Sequence, residues 1–468
     1  MSATPTDFTA ETSADDGEGS LHYDVFAAYV AAGARVASWV IVSAIVFRWA
    51  EADYAMLGVV RYTILILNYT SLGLAPAMIR LLAEARAGGA GRSDAVDSRA
   101  VYSNAMMIAA GAAALGVVVT AAFAHWWPVL LHAPAEPALA AEMPVVIGLM
   151  GIGTVLRLAG DAPGAWLQTH GRIGSDNVFL AIGEAAWVVL FLAIGQEVKS
   201  FGIVPASASY CAAAVVPLVL RWGVAAWLSG MILPRLRAIR GKLIWFLLAA
   251  GGTVMLAQLA DYLYAPIDYV LINHYLNPVA DAAAYLPMAQ IGSALLLVSS
   301  GLATVLLPRS AVAHAAGNIA AVKRYYVRGT LLSAAMLAAV AAVIWLILPT
   351  LLRLWLGKVI PQTVDVMPIM LLASVVGGSG MVGRSILIGT GKFGVFTASV
   401  LIAAAGNVAI SFLLVRYTGF GLAGVVLGTL AATVVRCVIW MPWYVMRMLQ
   451  RPEVGGRRSE VGEGRPDV

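Results

Sequence analysis

The stretch LADYLYAPIDYVLINHYL, residues 259–276, is rich in Leu, Ile, Val and Tyr, yet it carries Asp261 and Asp268 with Pro266 between them. At about 100° per residue, a spacing of seven returns to within about 20° of the starting direction, so on a helix both carboxylates share one face. Gln258, Tyr262 and Tyr269 lie beside them. An ionisable side chain at bilayer depth costs at least about 2.5–3.5 kcal/mol, so this stripe must face protein, water or a solute. Two chemistries fit: counter-ions for buried cations, or sites for a proton or sodium ion that drives a cycle. Pro266 removes a backbone donor and favours a kink.

The cations available in apolar segments are Arg35, Arg61, Arg157, Arg221, Arg384 and Arg436. Arg221, Arg384 and Arg436 fall within two or three turns of a span end, where a long side chain can snorkel to the interface. Arg384, in GMVGRSILIGTGK, is alternatively placed to line an inner vestibule. Arg35, Arg61 and Arg157 lie deeper. Tyr54, Arg61 and Asn68 follow one another at intervals of seven and share a helix face. Asn68 and Asn407 read equally well as helix-packing groups. Arg157 and Asp161, four apart in VLRLAGDAPG, can form an intrahelical ion pair or line a cavity and exchange partners. Asp261 and Asp268 can in turn neutralise Arg35 and Arg61.

No catalytic constellation accompanies these groups. The six histidines fall singly in tails and loops, no pair has metal-ligand spacing, and no G-x-S-x-G elbow occurs. Cys211 and Cys437 sit in apolar stretches and suggest neither a disulfide nor a metal site. No metal, no cofactor and no enzyme activity are expected.

The elements that must position the charges follow from composition. Of 468 residues, 61% are hydrophobic and 12% charged, with a mean hydropathy of +0.85. Soluble chains carry about 25% charged residues, so this is an integral membrane protein. Apolar runs predict about twelve spans, near 25–47, 54–78, 103–125, 143–167, 176–195, 204–228, 243–272, 282–307, 329–352, 366–390, 393–415 and 420–446. Loops on the side of the N-terminus hold most of the basic residues, including Arg80, Arg86, Arg92 and Arg99, Arg235, Arg237, Arg240 and Lys242, and Arg309, Lys323, Arg324 and Arg328. The other side has Arg48, Lys199, Arg353, Lys358 and Arg416. The positive-inside rule therefore places both termini in the cytoplasm, and the net charge of +5 reflects topology, not a nucleic-acid partner. Residues 1–24 and 447–468 are polar and predict disordered cytoplasmic tails, with no cleavable signal peptide.

The chain echoes itself. GRIG at 171–174 and GKFG at 391–394 recur at an offset of 220 residues, SLGLAPAMIR at 71–80 matches SSGLATVLLPR at 299–309, and Met-Pro opens two spans at Met143 and Met367. The order predicts two six-helix lobes, residues 25–232 and 243–446, joined by a basic linker at 233–242. Six spans per half gives a parallel repeat with a central site between the halves.

GLAPAMIRLLAEARAGG, AAAYLPMAQIGSALLLVSSG, LWLGK at 354–358 and, above all, GTGKFGVFTASVLIAAAGNVAISFLLVRYTGFGLAGVVLGT carry a resemblance. The pattern resembles the polysaccharide and O-antigen repeat-unit flippases of the MOP exporter superfamily over nearly the whole chain outside its tails. The resemblance implies an all-α, MATE-like membrane fold in a bacterial inner membrane. It also implies flipping of an undecaprenyl-diphosphate-linked oligosaccharide from the cytoplasmic to the periplasmic leaflet. The diphosphate would then meet Arg35, Arg61, Arg157, Asn68 and Arg384, and Asp261, Asp268 and Asp161 would serve as coupling-ion or counter-ion groups. Membrane lipid, H+ or Na+, and a polymerase with glycosyltransferases are the implied partners. Alternatives are a lipid II flippase, which usually has fourteen spans, a MATE-like exporter of cationic drugs, and a membrane glycan polymerase or ligase. A cationic substrate would want buried acids unmatched by bases, and a polymerase a large outer loop; here the longest is 126–142.

Overall fold

In a computed structural model, the structure describes residues 14–64, 67, 74, 78–79, 98–131, 136–230, 233–262, 265–315 and 317–450. Residues 80–97, expected as a basic loop, and most of 65–77 lie outside the described residues. The helices, in chain order, are α1 (Ala14–Trp49), α2 (Glu51–Ile64), α3 (Ser98–Leu130), α4 (Pro137–Ala159), α5 (Asp161–Thr169), α6 (Ile173–Glu197) and α7 (Ile203–Ser229). They continue with α8 (Gly241–Tyr262), α9 (Ala265–Tyr275), α10 (Ala280–Ala315), α11 (Ile319–Leu356), α12 (Pro361–Gly389), α13 (Phe393–Tyr417), α14 (Gly421–Val434) and α15 (Met441–Gln450). A π-helical turn, Val435–Trp440, links the last two.

Nine of the described helical segments are long and apolar enough to cross a membrane. The other three expected spans fall on α2, on α8 with α9, and within α10. One span is divided where hydropathy reads it as continuous: the fourth breaks at Gly160, between α4 and α5. In the seventh, α8 is described to Tyr262 and α9 from Ala265, with residues 263–264, just before Pro266, outside the described residues. Residues 14–24, expected as part of a disordered tail, are helical and belong to α1, while residues 1–13 lie outside the described residues.

Helices α1–α7 pack on one another, and so do α8–α15. The two groups meet through α2 against α9 and α10, α1 against α11, and α3 against α8. The segment before α8 is pinned to α3 by Asn104, which donates to the Ala238 carbonyl at 2.9 Å and accepts from the Arg240 N–H at 2.9 Å. The largest apolar core runs through both groups, from Trp39, Tyr54 and Trp187 to Tyr285, Leu352 and Trp355.

Candidate functional site

Asp268 is 1% exposed, on α9. Its carboxylate accepts from Tyr285 Oη at 2.7 Å, Thr429 Oγ1 at 3.1 Å and Asn407 Nδ2 at 3.4 Å. Asn407 Oδ1 lies 3.1 Å from the Thr429 hydroxyl and accepts from Ser411 Oγ at 3.2 Å. A buried carboxylate is tolerable when its lone pairs are satisfied in this way. These donors are neutral. The expectation that Asp268 neutralises Arg35 or Arg61 is therefore corrected: its partners are two hydroxyls and an amide, brought by α10, α13 and α14.

Asp268 and Tyr285 line a cavity of about 360 Å³ that Arg384 and Arg436 also line. Along α12 the lining runs from Met370 to Arg384, which at 1.5 Å per residue is about 21 Å of helix. Small residues, among them Ala289, Gly292, Ala373 and Gly377, keep it open. A Cβ at Gly380 would strike Cys437, so α12 can approach the π-helical turn only as glycine here. That wide turn carries Arg436. The Arg384 and Arg436 guanidiniums lie 5.4 and 6.0 Å from the ring of Phe396. The cavity is thus electrically polar, with a carboxylate at the depth of α9 and two guanidiniums toward the end of α12 that lies on the side of the chain termini.

A second charged node is built on α1, α4 and α6. Glu184, 2% exposed, accepts from Arg157 Nη1 at 2.5 Å and Ser38 Oγ at 2.8 Å, with Arg35 Nε 3.8 Å away. Arg157 also lies over Tyr210, 4.5 Å from its centroid. The expected Arg157–Asp161 pair does not form. Gly160 ends α4 between them, so a spacing of four no longer shares one helix face, and Asp161 instead opens α5 near Arg221 and Asp176. Arg221 is not an interface anchor. It is buried and grips Asp176 with both arms of its fork, Nε to Oδ1 at 2.7 Å and Nη2 to Oδ2 at 3.0 Å, while Gln168 donates to the same Oδ2 at 2.9 Å.

Arg61 stands between the two nodes. Its Cζ is 3.4 Å above the Trp39 ring and 5.5 Å from that of Tyr62. Tyr62 stacks on Tyr269 at 4.4 Å, and Tyr269 meets Tyr285 edge-on at 4.9 Å, so rings run from Arg61 to the hydroxyl that holds Asp268. Asn68 lies outside the described residues, as do the side chains of Asp261, Gln258 and Tyr262. Among the described residues, no group of three or more His, Cys, Asp or Glu could hold a metal ion.

Residues 254–413 match the MatE family model, a segment that contains Asp268, Tyr285, Arg384 and Asn407. An inward-facing multidrug resistance MATE family transporter of the MOP superfamily superposes with a TM-score of 0.77 at 16% identity, covering 91% of this chain and 100% of that one. The chain has the MATE transporter fold. An outward-facing MATE family transporter superposes at 0.69, with 16% identity and coverages of 92% and 96%. A MOP superfamily transporter from Pyrococcus furiosus superposes at 0.60, with 15% identity and coverages of 92% and 96%. A comparison with proteins of curated function returns no match. MATE family members are transporters, not enzymes.

Proposed function

We propose that this MATE-fold protein flips undecaprenyl-diphosphate-linked oligosaccharide repeat units from the cytoplasmic to the periplasmic leaflet of a bacterial inner membrane, for surface or exopolysaccharide synthesis. The observation that supports the reading is the cavity lined by both Arg384 and Arg436, two cations against the single carboxylate of Asp268. Moving a bare diphosphate through hydrocarbon would cost tens of kcal/mol, and fixed guanidiniums lower that barrier as no neutral lining can. Arg35, with more than half of its side chain exposed, and Arg61 and Arg157 extend positive charge toward the α1–α7 group. The sugar passes the polar lining while the polyprenyl tail stays in lipid, and the two halves rock about the cavity. Polymerase and glycosyltransferases would act on either side of this step.

Asp268 supplies the coupling site. Its carboxylate, with the Asn407 carbonyl and the Tyr285 and Thr429 hydroxyls, offers the all-oxygen surroundings that suit Na+, and the same carboxylate can carry a proton. Asp261 and Asp161 are assigned to the same charge balance.

The second reading is export of cationic drugs, favoured by the likeness to multidrug resistance transporters and by a carboxylate in an apolar cavity. Two guanidiniums in that cavity oppose it. In the Pyrococcus furiosus transporter, reverse polarity of the binding pocket suggests a different function, so pocket charge is a sensible discriminator within this fold. Proteoliposomes test the choice. A fluorescent short-chain polyprenyl-diphosphate disaccharide should change leaflets only in the presence of the protein, and a cationic dye should not be moved. Dye transport without glycolipid flipping overturns the proposal.

A further inference from the structure

At the face opposite the chain termini, the two helix groups are joined by contacts that the transport chemistry does not use. Arg48, in the last turn of α1, donates from Nη2 to the carbonyls of Leu354 at 2.8 Å and Trp355 at 3.3 Å. Both carbonyls belong to the last turn of α11, where four acceptors have no partner within the helix and the helix dipole is negative. The chain leaves α11 through Gly357 in the left-handed conformation, φ +85°, which turns Lys358 back toward the other group. Lys358 Nζ meets Glu51 Oε2 at 2.5 Å and lies 5.0 Å from the Phe47 ring. Beneath these exposed pairs Trp355, 8% exposed, donates its indole N–H to the Val40 carbonyl of α1 at 2.9 Å.

We infer that Arg48 and Trp355 form a latch that holds the molecule closed on this face, and that opening toward this face requires the Arg48–α11 and Trp355–α1 bonds to break together. A helix C-terminus capped by a cation from another helix exists only while those helices touch, so the contact belongs to one state of the molecule. Each donor spans the seam between the groups, and none lines the cavity. The Lys358–Glu51 pair is solvent-facing and adds little by itself. The selective elements are the guanidinium cap and the buried indole bond. The latch acts whatever the solute is.

The test uses the full chain with Cys211→Ala and Cys437→Ala, and Ser293→Cys in the cavity wall as reporter. A membrane-impermeant maleimide is applied in turn to either face of oriented vesicles. In the Arg48→Ala variant, labelling from the face opposite the termini should rise about tenfold, as expected when a solvent-exposed, charge-assisted cap shared between the Leu354 and Trp355 carbonyls is lost, and labelling from the terminal face should fall. Trp355→Phe, which removes only the N–H, should shift both rates in the same directions. Unchanged labelling in both variants overturns the latch, and so does a rise from both faces, which would mean loosening in place of a shift between states.

Discussion

Replacing Glu184 with Gln removes one charge from the α1–α4–α6 node with almost no change of shape. The Glu184 side chain is 3% exposed and that of Arg157 20%, so neither ion is well hydrated. Removing one partner of a buried pair costs about 3–5 kcal/mol, because the other charge stays behind uncompensated. Arg157 keeps some water and its place over Tyr210, and Gln can still accept from Ser38, which sets the expected loss at the lower end, about 3 kcal/mol. If the contact is absent from the unfolding transition state, that loss shortens the half-life of the purified protein by roughly a hundredfold at fixed temperature. The assay is the decay of monodisperse protein in detergent, followed by size-exclusion chromatography, for Glu184→Gln, Asp161→Asn and the pair Glu184→Gln with Arg157→Met. Asp161→Asn should change little through Arg157, and the double variant should recover much of the loss. If Asp161→Asn is as harmful as Glu184→Gln and couples to Arg157→Met in its place, the assigned pairing is wrong.

Arg384→Ala and Arg436→Ala should each lower glycan export at least tenfold with normal amounts of protein in the membrane, as read by immunoblot, and the Lys variants should keep part of it; unimpaired export by both Ala variants removes these residues from the anion path. Asp268→Asn should abolish transport driven by an imposed Na+ or pH gradient while leaving energy-independent exchange of labelled substrate measurable in proteoliposomes, whereas full gradient-driven transport would refute a coupling role. Arg221→Ala should destabilise by about 3–5 kcal/mol, because Asp176 loses its buried counter-charge and keeps only the Gln168 donor, and Arg221→Met with Asp176→Leu should be far milder; thermal inactivation of the single and double variants gives the comparison.

The membrane class and most spans were legible because about twenty apolar residues in a row have few alternative uses. The divided fourth span was not, since a one-residue turn at Gly160 barely alters a hydropathy average. That same turn explains the misassigned Arg157: the four-residue rule holds only while the helix continues, and its true partner is 27 residues away. Asp268 was legible as a costly group needing an explanation, but its partners lie 17, 139 and 161 residues along the chain and are set by packing. Asn407 was visible only as a polar residue in an apolar helix, with packing and function equally open. Arg436 read as an interface residue because sequence does not register the π-helical turn that carries it.

The central claim is tested most directly in cells depleted of this protein, by measuring the amount and sidedness of lipid-linked glycans. The account predicts undecaprenyl-diphosphate oligosaccharide accumulating on the cytoplasmic face while surface polysaccharide disappears. Accumulation on the periplasmic face, or unchanged glycans together with new sensitivity to cationic drugs, would contradict it.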